Sequence, residues 1–65
     1  MNLFRDKIKT YIDQEIFLKD VNGTAYSGIL KEVGEDFCTL QIAKRQLTYN
    51  LAHIVSVEPR MNATG

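Results

Sequence analysis

The chain has a single cysteine, Cys38, and a single histidine, His53, among its 65 residues. One Cys cannot close an intramolecular disulfide, and one Cys with one His cannot complete a Cys/His zinc site. Net charge is absent too, since eight Lys and Arg stand against eight Asp and Glu. A protein that holds nucleic acid through many phosphate contacts carries an excess of Lys and Arg, so any such site here is local, weak or repeated by symmetry. No apolar run approaches the roughly 20 residues that cross a bilayer. The first residues lack the basic region, apolar stretch and small-residue cleavage site of a leader, and the expected location is cytoplasmic, with no membrane partner.

What is present, 45% hydrophobic and 25% charged residues, describes one small globular domain over residues 1–59 followed by a tail over 60–65. A core of this size supplies roughly 3–5 kcal/mol at most. With disulfides and a structural metal excluded and no cofactor expected, self-assembly is the remaining support.

From Asn2 to about Asp13, Leu3, Phe4, Ile8, Tyr11 and Ile12 fall at helical spacing, with Asn2 placed to cap, which predicts an amphipathic helix of about three turns. The period then changes to two. Ile16 and Leu18 alternate with Phe17 and Lys19, and Asn22-Gly23 follows as a hairpin signal. A second strand runs from about Thr24 to Val33 with Gly28 in its middle, where a residue without Cβ permits a bend.

Gly34-Glu35-Asp36 marks a turn, Phe37 to Ala43 a third strand, Lys44-Arg45 a polar turn and Gln46 to Asn50 a fourth strand. Leu51-Ala52-His53 is a connection too brief for a helix of its own, and Ile54 to Val57 is a last β-branched strand ended by Pro59. The tail from Arg60 offers nothing to bury and is expected to be mobile. The predicted fold is mainly β: an N-terminal helix followed by a strongly bent, five-stranded antiparallel small barrel. Closure at this size is incomplete, so strands four and five leave edges that a neighbouring subunit can pair.

With these elements in place, the sequence resembles the Sm-like family, which includes the bacterial Hfq proteins, over nearly its whole length to Pro59. The family's first motif is similar to the run from Asn22-Gly23 through Gly28 to the acidic turn and Phe37-Cys38, and its second to the run from Gln46 to Val57. The resemblance implies a homo-oligomeric ring of roughly five to seven subunits, joined by the fourth strand of one to the fifth of the next. It also implies binding of single-stranded RNA around the pore, by base stacking and hydrogen bonds to base edges. The base-reading residues depart from the family pattern. Cys38 stands where an Asn usually reads uracil, the acidic turn is one residue longer so that Asp36 or Phe37 takes the stacking position, and Asn50-Leu51 replaces the cationic pair with His53 slightly later.

The candidate RNA contacts are therefore Phe37, Asp36, Asn50 and His53, joined by Arg5, Lys7 and Lys9 on the helix. Each has a plainer reading. Phe37 is a stacking platform or a core or interface aromatic; Asn50 reads a base edge or forms a turn; the helix cations make a basic face when a ring repeats them, or are an ordinary solvated surface. His53 has no partner at triad or metal-ligand spacing, so no catalysis is expected. Cys38 suits the core, and Tyr26 and Tyr49 suit packed positions with their hydroxyls at a rim. Binding of single-stranded RNA without catalysis is the expected function, and the alternative is a structural or protein-interaction ring that has lost the RNA pocket.

Overall fold

The computed structural model describes residues 3–60. Helix α1 (Leu3–Lys9) precedes strands β1 (Glu15–Asp20), β2 (Ala25–Val33), β3 (Phe37–Ile42) and β4 (Arg45–Asn50), a single 3-10 turn (Leu51–His53) and β5 (Ile54–Pro59). All pairings are antiparallel, and the five strands form one sheet in the order β4-β3-β2-β1-β5 that hydrogen bonds do not close. Its two margins are β4 and β5, as the strand pattern predicts.

The period-two pattern sends Ile16 and Leu18 of β1 inward, where they meet Leu30, Cys38, Leu40, Ile54 and Val57 from the other strands, Leu51 from the 3-10 turn and Ile8 from the helix. Strand β2 serves two neighbours in succession. Residues Ala25 to Ile29 pair with β1, and Ile29 to Val33 pair with β3, so the handover falls on Ile29. Gly28, one residue earlier, is where β3 comes close: a Cβ there would lie 2.5 Å from the Gln41 carbonyl oxygen. The ladder itself breaks slightly later than the glycine suggests, between Leu30 and Glu32. A single extra residue there bends the strand, as a bulge does.

Several boundaries differ from the sequence pattern. The helix ends at Lys9 rather than near Asp13, because the Thr10 hydroxyl takes the Lys7 carbonyl at 2.7 Å and the next N–H groups reach back only three residues. Asp13 then turns left-handed (φ 72°) and its N–H donates to the Leu30 carbonyl at 2.7 Å, tying the connection to β2. The β3–β4 turn is Ala43-Lys44, with Arg45 already paired to Ile42. Arg60 is anchored, not loose: its N–H and its guanidinium both reach Glu15, each at 2.9 Å. The expected cap at Asn2 and the rest of the tail lie outside the described residues.

Candidate nucleic-acid interface

Pairing of β3 with β4 places Phe37 directly opposite Asn50. The 3-10 turn that follows brings the chain back across this end of the sheet, where the Asp36 carbonyl accepts the Leu51 N–H at 2.8 Å. Asp36, Phe37 and Asn50 therefore form one group, with His53 at the far end of the same turn. Asn50 caps that turn. Its Oδ1 accepts the Ala52 N–H at 2.9 Å, so the turn-forming reading of this residue holds and its amide nitrogen is left as the donor end.

Phe37 is half-buried and stands outside the buried cluster. Its ring lies across Gly34, whose missing Cβ makes the room. One side of the ring is thus packed on backbone while part of it remains open to solvent, an arrangement between the two readings the sequence allows.

A cleft of about 420 Å³ opens beside Asn50. It is walled by Asp20, Val21 and Asn22 of the β1–β2 turn, by Thr48, Tyr49 and Asn50 of β4, and by His53 and Ile54. The walls are tied together, since the Val21 N–H donates to the His53 carbonyl at 2.9 Å and Asp20 pairs with Ile54. Asp20 Oδ1 accepts the N–H groups of Asn22 at 2.9 Å and Thr24 at 3.0 Å, and Gly23 takes the left-handed conformation at φ 85° that the turn demands. Sequence reasoning used this segment only as a hairpin signal. Asp20, two residues before Asn22-Gly23, is the available sign that a carboxylate is held at the turn.

The Tyr49 ring packs against Tyr26 with centroids 5.2 Å apart. Its hydroxyl is enclosed instead of sitting at a rim, and has no hydrogen-bond partner among the described residues. Burial, reinforced by Tyr26, Cys38 and Asp20 nearby, pushes its ionisation upward. Cys38 is buried, and burial raises its thiol to about 11, which leaves it a core residue without nucleophilic character at neutral pH.

The helix cations stand on a separate element that packs against β2. Lys7 and Lys9 are exposed, but Arg5 is half-buried with its guanidinium 3.9 Å from the Asp6 carboxylate. Among the described residues no group of three His, Cys, Asp or Glu could hold a metal ion, and no helix is long and apolar enough to cross a membrane. The chain matches no protein-family model, no curated protein and no solved structure.

Proposed function

We propose that the chain is a subunit of a cytoplasmic Sm-like ring, of roughly five to seven copies, that binds single-stranded RNA without catalysis. The observation that carries this reading is the register pair Phe37 and Asn50, an aromatic ring and a carboxamide side by side next to a polar cleft. An unpaired base requires those two chemistries, a flat apolar surface to stack on and a donor or acceptor for its edge. The ring is supported by the two margins of the sheet. Strands β4 and β5 each present backbone groups without a ladder partner, and Val55 on β5 is 60% exposed. Pairing β4 of one copy with β5 of the next would satisfy those groups and add the burial a 65-residue chain lacks. Lys7 and Lys9, repeated around such a ring, would concentrate positive charge on a neutral protein.

The competing reading is a ring that holds protein rather than RNA, and the Asn50 cap favours it, because an oxygen spent on the Ala52 N–H is lost to a base. Native mass spectrometry combined with fluorescence anisotropy on oligo-U, oligo-A and mixed single strands, at two salt concentrations, separates the two. A ring that binds at low salt and releases as salt rises supports the RNA reading. A ring that binds none of them leaves the structural one, and a folded monomer removes both.

A further inference from the structure

Away from the cleft beside Asn50, the outer surface of the sheet carries a second, mostly apolar hollow of about 250 Å³. Three strands wall it: Phe17, Leu18 and Lys19 of β1, Ala25 of β2, and Ser56 and Glu58 of β5. Register explains the grouping. Phe17 stands opposite Glu58, and Lys19 opposite Ala25 and Ser56, so alternation turns Phe17, Lys19, Ala25 and Glu58 to solvent while Ile16 and Leu18 go to the core. Phe17 is 47% exposed, yet its ring is held: the Arg60 guanidinium lies 5.9 Å from its centroid and is itself fixed by Glu15 at 2.9 Å. A fixed, exposed aromatic beside an apolar hollow loses little side-chain entropy on contact, which is what a docking surface requires.

The charges on this face identify its occupant. Lys19 and Glu58 border the hollow at diagonal corners, and among the described residues neither forms an ion pair, whereas Glu15 and Arg60 neutralise each other. One unpaired cation and one unpaired anion make the face its own complement. A two-fold rotation that lays Lys19 on the second copy's Glu58 also lays Glu58 on the second copy's Lys19, and sets the two Phe17 side chains between those pairs. We infer that this outer face of β1, β2 and β5 is a two-fold contact between copies of the chain, with Phe17 at its centre and reciprocal Lys19 and Glu58 pairs at its rim. The contact uses side chains on the sheet surface, not the backbone margins of β4 and β5, and so does not rest on the ring. Alone, a contact this small is weak; in a ring every subunit repeats it, and two rings join through several at once.

Native mass spectrometry and sedimentation equilibrium of the whole chain test it, with Lys19→Glu and Glu58→Lys made separately. Both side chains are exposed, so each variant is expected to unfold in urea as the wild type does. At equal concentration the wild-type assembly is expected to have twice the mass of either variant's, because each single substitution sets like charges together in both rim pairs. Mixing the two variants in equal amounts should recover the doubled mass, since a mixed pair restores one cation to one anion on both sides. Phe17→Ala should halve the mass as well. If the β5 margin builds no ring, the same comparison is dimer against monomer at about millimolar protein, where a contact too small for micromolar affinity is still populated. Equal masses for wild type and variants, a mixture that stays at half mass, or full mass in Phe17→Ala would overturn the contact. The ring is read from the absolute mass and this contact from the ratio, so either can fail alone.

Discussion

The ring of Phe37 lies so closely over Gly34 that no Cβ fits between them. Gly34 is not in the left-handed region, so what it supplies is space and not backbone freedom. Its N–H also donates to the Phe37 carbonyl at 2.8 Å, which closes the β2–β3 turn. Gly34→Ala must displace the ring, at a cost of about 1–3 kcal/mol in urea unfolding by analogy with other overpacked sites. The displaced ring should also lower affinity for single strands. Unchanged stability in this variant would mean that Phe37 is not seated on the glycine.

Ala43 opens the β3–β4 turn at φ 56°, a conformation that an L residue with a Cβ adopts at a cost of about 1–2 kcal/mol. Glycine removes that strain but adds about 0.5–1 kcal/mol of backbone entropy in the unfolded chain. Ala43→Gly is therefore expected to stabilise the protein by about 0.5–1 kcal/mol in the same unfolding assay. A loss of stability would place the strain elsewhere.

Burial raises the Cys38 thiol from 9.0 to about 11. Between those values the unfolded chain has lost its proton and the folded chain retains it, so the folded state binds more protons and stability falls as pH rises. Below pH 9 the contribution is constant. Stability should thus decline from about pH 9 to pH 11, and Cys38→Ala should remove that part of the decline, leaving what Tyr49 adds at higher pH. An identical pH profile in the variant would show that the thiol is not the titrating group.

Side-chain periodicity carried most of the fold. Alternation in β1 and the Asn22-Gly23 turn identify the first hairpin because both are local signals, and the predicted open margins are the ones observed. The end of the helix was hidden, because apolar spacing continues through Tyr11 and Ile12 while the Thr10 hydroxyl and the bond from Asp13 to Leu30 decide where winding stops. Those are a side-chain competition and a long-range contact, which periodicity does not register. The site divides in the same way. Phe37 and Asn50 could be named from sequence, but their pairing depends on register, and Asp20 reaches the cleft only because β1 and β5 bring the hairpin turn to His53.

The proposed ring requires the β5 margin to remain able to accept a neighbour. Val55 is 60% exposed in the single subunit, on an edge strand with no Lys of its own to discourage pairing. Val55→Lys should leave the fold of a subunit intact, since the side chain is already in solvent, and should shift native mass spectra from the ring toward monomer. A ring that persists at micromolar concentration would move the subunit contact away from β5.

Among the helix cations, Lys7 and Lys9 are the exposed ones that can attract phosphate if RNA is bound. Arg5 is half-buried with its guanidinium 3.9 Å from the Asp6 carboxylate, whereas Lys7 and Lys9 are exposed, so the lysines are expected to carry more of the salt dependence. Each phosphate neutralised on a single strand contributes about 0.7 to the slope of log affinity against log salt. Replacing Lys7 and Lys9 together by Ala should therefore weaken oligo-A, oligo-C and oligo-U by similar factors and flatten that slope, while the ratio between bases stays as it was. Arg5→Ala should leave the slope nearly unchanged and instead lower stability, because the packed stem of the side chain is lost with the charge. Salt titrations of the double variant and of Arg5→Ala, run beside thermal unfolding, distinguish the two roles. A double variant with the original slope would remove the helix from the binding surface, and a flattened slope in Arg5→Ala would return Arg5 to it.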